Sequence, residues 1–598
     1  MASGILGTAV SGLMAFQRSL DTTSHNIANV NTEGYSRQQV ELATRPEQFT
    51  GAGFLGQGVG ISNISRSYDQ FISNQLRFST SAFGDVDHYH QLATQVDAMM
   101  ADPSTGMAPA IKNFFNSVND VSDDPSSIPA RQAMLSEAEN LTQRFSSMNA
   151  RFEQLRSQVN NDVGVMVDNI NSYANSIAGL NVKIAADISR STGLQEPNDL
   201  LDQRDVLLNK LAELVDISVL PQQNGMVSVF IGQGQSLVLD ANASELSAVP
   251  SALDPSRLGI SINATGGTQD ITSYISGGAL AGTLRFRDEI LDPSQQKLGQ
   301  VAAGLAMEFN ALHETGYDLD GKPGAALFGF SGAEVPVAAN PANTGNAVVT
   351  ARFQDPNGVP DAAKNLDFSD FKLAYDGANY TLTRVRDNQV INLTAVETAV
   401  GSNVYNLTFG TSSDPSITAL PGFEITVDLN GGAINAGDQF LTRPTYGAAQ
   451  KIGVNTDDPR KIAAATNIEV DPATGSPVLD GSGNPVIING PMPGDNRNAL
   501  LLAGLENKLG LLGGNATFQD AYGQIVSGVG TLTRSAELSA SAQEALLNQA
   551  KESRENLAGV NLDEEAANLI KFQQSYQAAA QLISVTNSLF DTLMGAVR

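Results

Sequence analysis

Apolar residues recur every seven positions at both ends of this chain, and this constrains its fold more than any other feature. Near the N-terminus Leu6, Leu13, Leu20 and Ile27 are each seven apart, and Ala9, Phe16, Thr23 and Val30 follow three residues after each. Alternating steps of three and four make the stripe of a helix that packs on another helix. Only Thr23 breaks the stripe with a polar group. Ser3 is the expected N-cap, and Gly34 supplies a left-handed turn after the helix. Toward the C-terminus Leu562, Leu569, Tyr576, Ile583 and Phe590 repeat the seven-residue step. The companion positions Glu565, Phe572, Ala579, Thr586 and Leu593 form a patchier seam. Both segments read as amphipathic helices of roughly 25 to 35 residues. Isolated helices of this size are marginal in water, so both stripes need a partner. One reading packs each stripe on its own chain. The sharper reading makes them an assembly interface: Leu6, Leu13, Phe16, Leu20 and Ile27 at one end, and Leu562, Leu569, Phe572, Tyr576, Ile583, Phe590 and Leu593 at the other.

A longer periodic run lies inside. Met134, Ala138, Leu141, Phe145, Met148, Phe152, Leu155 and Val159 alternate steps of four and three, and Val163, Met166, Ile170, Tyr173, Ile177, Leu180, Ile184 and Ile188 continue the pattern. One extra four-step, from Val159 to Val163, interrupts it as a stutter. No proline lies between Pro129 and Pro197, so the run predicts one helix about 80 Å long. Further helices are expected at 67–100, 107–120, 198–215 and 515–556. Residues 216–280 alternate as Val227, Val229 and Ile231 do, broken by Asn224-Gly225. Residues 331–495 are rich in Gly, Pro, Asn, Asp and Thr and hold strand-like runs at 380–385 and 423–428. The fold class is therefore α+β and multidomain: a helical-bundle rod with terminal coiled-coil helices and inserted all-β domains, nested so that the two chain ends belong together. The expected bodies are a terminal coiled-coil domain (1–60 and 557–598), a helical rod (61–215, 281–330 and 496–556), a small β subdomain (216–280) and an outer β-rich domain (331–495).

Composition narrows the function. Thirty-five Lys and Arg against 63 Asp and Glu give a net charge of −28, which argues against nucleic acid and anionic lipid as partners. Cysteine is absent, which removes disulfides, thiolate metal sites and Cys nucleophiles. No apolar run is long enough to span a membrane, and the first 21 residues lack the basic start of a cleaved secretory signal. Catalytic and cofactor motifs fail on inspection. His88 and His90 are two apart, so a helix points them to different sides. His313-Glu314 begins like a zinc-protease motif, but position 317 is Tyr317. Asp318-Leu-Asp320-Gly321 lacks the remaining ligands of a calcium loop and reads as a turn. Gly51-Ala-Gly53-Phe-Leu-Gly56 matches a dinucleotide pattern but leads into the strand-like Val59 and Ile61. Asp21, Ser24 and His25 point around one helix and cannot line up as a triad. No enzyme, cofactor or metal site is expected.

The residues at the ends carry a resemblance. SGLMAFQRSLDTTSHNIANVNTEGYSR (11–37) resembles the N-terminal signature of the bacterial flagellar axial proteins, which include rod, hook and hook-associated proteins. GQGVGISNISRSYDQFISNQLR (56–77) is similar to the segment that follows it there. GVNLDEEAANLIKFQQSYQAAAQLISVTNSLFDTLM (559–594) resembles the matching C-terminal signature. Within the family, 275–328 and the helices at 127–215 are similar to the hook-associated proteins of the first hook–filament junction position. The resemblance covers about 1–330 and 500–598 and leaves 331–495 uncovered. It implies a structural, non-enzymatic subunit of the extracellular flagellum, exported unfolded from the cytoplasm by the type III route. It implies terminal helices that order on assembly into a coaxial coiled coil. The implied partners are further copies of itself in a ring or short helical zone, the hook protein, the second junction protein, and a cytoplasmic export chaperone on the C-terminal helix (Leu569, Tyr576, Ile583 and Phe590). The rival reading is a secreted adhesin or carbohydrate-binding protein acting through 331–495.

Overall fold

The computed structural model describes residues 2–597, apart from 50–52, 103–105, 192–194, 265–266, 333, 356–361, 413–420, 468, 472–475, 482–485 and 487–493. The first helix, α1 (Ala2–Ala28), leads into an antiparallel pair, β1 (Gln38–Thr44) and β4 (Val59–Arg66), which brackets the short hairpin β2 (Gln48–Phe49) and β3 (Phe54–Leu55). Ser3 lies inside the first turn rather than at its cap, because the strong helix former Ala2 already adopts the helix. The dinucleotide-like stretch 51–56 falls partly outside the described residues, and a strand rather than a helix follows it. Gly34 has φ +76° and turns the chain against α5 of the rod, described next.

The rod consists of α2 (Gln70–Ala101), α3 (Met107–Asp123), α4 (Ile128–Arg190) and α5 (Asn198–Leu214), joined later in the chain by α6 (Gly278–Phe286) and α7 (Asp292–Thr315). Caps mark the starts. Asp69 accepts hydrogen bonds from the backbone amides of Phe71 and Ile72 at 2.8 and 3.0 Å, and Ser127 caps α4 just before Pro129. α4 runs unbroken for 63 residues, about 95 Å at 1.5 Å per residue. The apolar positions of its periodic run are buried, except that Leu155, Tyr173 and Ile188 are half-buried. The stutter has a physical counterpart: Val159 packs in one core, with α2, α3 and α7, while Val163 packs in a second, with α5 and the strands that follow. The extra four-step rotates the apolar face between the two.

Seven strands over Ile217–Asp270 cover the far end of α4. β5 (Ile217–Pro221), β6 (Val227–Ile231), β7 (Gln235–Leu239) and β8 (Asn242–Ala243) form one sheet, and β9 (Leu246–Pro250), β10 (Leu258–Ala264) and β11 (Gly267–Asp270) another. After α7, β12 (Phe328–Phe330) leads to an eight-stranded sheet of β13 (Val337–Ala339), β14 (Val348–Phe353), β15 (Phe371–Tyr375), β16 (Tyr380–Arg384), β17 (Gln389–Glu397), β18 (Val404–Ser412), β19 (Phe423–Asp428) and β20 (Gln439–Thr442). Its order runs from β13 to β14 through β20, β15, β16, β17, β18 and β19. A bridge between Val335 and Ala351 links its two edges, so the sheet is nearly closed into a barrel around Phe371, Leu382, Phe423 and Ile425. Beyond Thr442 the chain returns to the rod: α8 (Ala448–Lys451), β21 (Ile452–Val454) and α9 (Arg497–Gly504) supply Ala449, Ile452 and Leu502, and the segment between β21 and α9 supplies Ile462, to the core around Phe114 and Phe309. The insert 331–495 thus holds a barrel and a strap that packs on the helices.

Rod, small sheets and barrel meet at a buried charge cluster. Arg156 of α4 pairs with Asp292 at 2.8 Å, and Arg443 reaches both Asp254 and Asp370 at 3.2 Å. Burial pushes the Asp370 carboxyl up to about 6 against the pull of Arg443. The chain closes with α10 (Phe518–Ala558), opened by a Thr517–Asp520 capping box, and α11 (Leu562–Val597). α10 runs antiparallel to α2: Tyr522 donates to the Met100 carbonyl at 3.0 Å at one end, and Leu76 packs with Leu547 and Ala550 at the other. Among the described residues no helix is long and apolar enough to cross a membrane.

Candidate assembly interface

α1 and α11 lie side by side and antiparallel. Asn26 meets Glu565 at one end, while Ile5, Ala9 and Phe16 share a groove with Ala579 and Leu582 at the other. Small and hydroxyl side chains fill the seam between them: Ala9, Ala15, Ser19, Thr22, Thr23, Ala579 and Thr586 are buried. The hydroxyls of Ser19, Thr22 and Thr586 donate to carbonyls of their own helix four residues back, at 2.7 to 3.0 Å. They enter the seam without leaving a polar group unpaired. Small seam residues bring the backbones close and leave the larger heptad residues at the flanks. Leu6, Leu13, Phe16, Leu20 and Ile27 are half-buried, as are Leu569, Phe572, Tyr576 and Ile583. Leu562 and Phe590 are 51% and 53% exposed. The side chain of Leu593 lies outside the described residues. Seven apolar side chains outside the heptad stripe, Ile5, Met14, Ile570, Leu582, Val585, Leu589 and Met594, are each 52–58% exposed.

A polar knot ties the pair to the rod. Asn26 is buried and fully used: its Oδ1 accepts from Tyr35 Oη at 2.7 Å and from the Gln38 amide at 3.0 Å. Its Nδ2 donates to the Gln38 carbonyl at 3.0 Å and to Glu565 at 3.2 Å. Arg37 donates to Glu565 at 2.7 Å and to Glu564 at 2.8 Å. The Glu565 side chain is 2% exposed, against 59% for Glu564. Deeper in, Arg66 pairs with Asp202 at 2.8 Å and Asp205 at 2.6 Å, and Asp202 accepts from the Ser36 amide at 2.8 Å. Burial raises the Asp202 carboxyl, and the bonds from Arg66 and Ser36 oppose it. Burial also raises the Tyr35 phenol, assisted by Asp199, Asp202 and Glu565. Sequence reasoning did not find this knot. Its one local signal is Glu565, a charge at a heptad position where a hydrophobe belongs.

The residues that mimic chemical motifs have structural partners. His313 is buried; its Nδ1 donates to the Ala325 carbonyl at 2.6 Å and its Nε2 accepts from the Ala463 amide at 2.9 Å. Burial lowers its pKa to about 4, so it serves as a neutral strut between α7 and the strap. Asp318 closes the turn ending at Gly321, φ +71°, by accepting from the amides of Asp320 and Lys322 at 2.9 Å. Lys461 and Arg460 then pair with the two aspartates. His88 and His90 sit on α2, and His25 lies 3.5 Å from Asp199.

A chain whose two ends close on each other, carrying a long helical rod and an outlying β barrel, matches structural subunits of the bacterial flagellar axis. The comparisons agree along its length. Residues 6–35 match the flagella basal body rod protein family, and 555–596 the C-terminal family of basal body rod FlgEFG proteins. Residues 93–328 match the helical domain of flagellar hook-associated protein FlgK, and 338–444 the D2-like domain of flagellar hook-associated protein 1. Flagellar hook-associated protein 1 of Salmonella typhimurium is 33% identical over 99% of both chains, and that of Escherichia coli K12 is 32% identical over 99% of both. The structure of the flagellar hook junction protein FlgK from Burkholderia pseudomallei covers 81% of this chain and all of its own, with a TM-score of 0.67 and 28% identity. The chain belongs to the flagellar hook-associated protein 1 (FlgK) family. It is a structural component of the bacterial flagellum at the hook–filament junction, associates with other flagellar axial components, and belongs to no enzyme family. The match of 338–444 to that family's own D2-like domain leaves the adhesin reading without support.

Proposed function

We propose that the α1–α11 pair is the surface through which copies of this chain join one another, the hook protein on one side and the second junction protein on the other. The carrying observation is the row of more-than-half-exposed apolar side chains on α11, from Ile570 through Leu582, Val585, Leu589 and Phe590 to Met594. The heptad residues Leu6, Leu13, Phe16, Leu20 and Ile27, with Leu562, Leu569, Phe572, Tyr576, Ile583 and Phe590, flank the seam of the same pair, and Leu593 joins the proposed surface by its heptad position alone. Each such side chain contributes about 1.5–3 kcal/mol once covered, so a pair that is weak alone is firm in an array. The bodies are a terminal pair (1–60 and 557–598), a rod (61–215, 281–330 and 496–556), a small β unit (216–280) and an outward β unit (331–495). Before export, a cytoplasmic chaperone covers the stripe Leu569, Tyr576, Ile583 and Phe590. Leu13→Asp or Ile583→Asp leaves the rod folded and blocks incorporation, scored as bare hooks with flagellin shed into the medium. Motile cells with normal filaments would refute the reading. Deleting 562–598 abolishes a soluble chaperone complex, and a surviving tight complex removes that part.

A further inference from the structure

The β2–β3 hairpin carries an aromatic pair that its own chain leaves uncovered. Phe49 and Phe54 face each other across the strands with ring centroids 5.3 Å apart, yet they are 65% and 71% exposed. Side chains alternate faces along a strand, so the other face belongs to Gln48 and Leu55, which also pair. On that face Leu55, still 52% exposed, lines the edge of an apolar groove between α1 and α11. The segment after the hairpin is fixed to α1. The Val59 amide donates to Ser11 Oγ at 3.2 Å, and Gly58, at φ +87°, approaches so closely that a Cβ would collide with Ser11. With Leu55 at the groove's edge and Gly58 pinned to α1, the Phe49–Phe54 face lies on the opposite side of the hairpin from the groove of its own copy.

The groove is the matching half. It encloses about 650 Å³ and runs along Ile5, Ala9, Phe16, Ala579 and Leu582. Among the described residues, no charged one lines it. This matters for a chain of net charge −28, whose copies repel unless they meet through uncharged patches. An apolar knob and an apolar recess on different faces of one molecule generate head-to-tail contacts that close into rings or continue as helices. The geometry points to the Phe49–Phe54 face of one copy seating in the α1–α11 groove of the next. This inference rests on the terminal pair being the assembly surface.

The test uses the full chain in isolated hook–filament structures, with a photo-crosslinking phenylalanine analogue at position 54 and, separately, at position 589. The expected result is a position-54 adduct between two copies, mapped to residues 4–16 or 575–582. An adduct within one chain, or to another axial protein, overturns the inference. So does absence of the position-54 adduct while position 589 still joins copies. If neither position joins copies, the assembly reading falls with it. The double variant Phe49→Ser, Phe54→Ser should unfold like the parent, because both rings are exposed, and incorporate at least about tenfold less, since two phenylalanine contacts are lost. Undiminished incorporation would equally overturn the plug.

Discussion

Glu565→Ala is the sharpest test of how the terminal pair is held. Its carboxylate is 2% exposed and holds Arg37 at 2.7 Å and Asn26 at 3.2 Å. Removing one partner of a buried ion pair costs about 3–5 kcal/mol when the other charge is left stranded. Here Arg37 keeps Glu564, and Asn26 keeps the Gln38 carbonyl, so the expected loss is smaller, about 2–3 kcal/mol. Glu564→Ala is the matched control. Its side chain is 59% exposed, and exposed pairs contribute about 0–1 kcal/mol. At 1.4 kcal/mol per tenfold, Glu565→Ala should speed local opening of α11 at least about 30-fold, and Glu564→Ala no more than about fivefold. Amide hydrogen exchange of β1 and the first turns of α11, read by mass spectrometry, separates the two, with exchange in α4 unchanged as the internal standard. Adding Arg37→Ala to Glu565→Ala should cost less than the sum of the single changes. Equal exchange in the two glutamate variants would refute the reasoning, because the buried carboxylate would then hold nothing that the exposed one does not.

Other expectations concern the body. His313 has its pKa lowered to about 4, below the unfolded value of about 6.5. The unfolded state therefore binds the extra proton between those values, and stability falls as pH falls through that window. Asp370, raised to about 6, acts in the opposite sense, with stability rising as pH falls from about 6 toward 4. His313→Gln should thus shrink the loss of unfolding free energy between pH 7 and 4.5 by about 2–3 kcal/mol in denaturant titrations; identical pH profiles would contradict the strut. Phe152→Ala, at a fully buried position of α4, should cost about 3–5 kcal/mol, measured by the same titrations, whereas Val165→Ala, 59% exposed on that helix, should change little. Gly58→Ala forces a left-handed Ala against Ser11 and should free the hairpin by about 1–2 kcal/mol, seen as faster proteolysis near residue 55 with the rod's unfolding unchanged.

The helices were legible because their signals are local. The apolar spacing of α4, the proline-free stretch and the capping residues predict an element that the structure extends only to Ile128–Arg190. The terminal helices were equally legible as elements, but their burial was not. A heptad rule places large hydrophobes in the seam, whereas Ala15, Ser19, Thr22 and Ala579 occupy it because small residues let two backbones approach. The polar knot lay beyond reach for another reason: Asn26 and Glu565 are 539 positions apart, and no local pattern encodes such a contact. The barrel order was hidden likewise. β15–β16 and β16–β17 are neighbours that turns announce, but β14 pairs β19 and β13 pairs β20 across the whole insert. The strap failed to declare itself because Ile452, Ile462 and Ala464 reach the rod core through a stretch whose composition reads as loop.

The bond between Asn26 and Glu565 also makes the subunit a test of its own completeness. Asn26 emerges early in synthesis, yet its carboxylate partner follows 539 residues later, and the α11 residues Ala579 and Thr586 that share the seam come later still. A chain cut between Gly559 and Glu565 keeps its rod residues and both β units but cannot close the seam of α1. The closed terminal pair therefore exists only in molecules whose translation has passed both β units and the rod. On the assembly proposed above, an array built through that pair takes up only subunits that carry both α1 and α11.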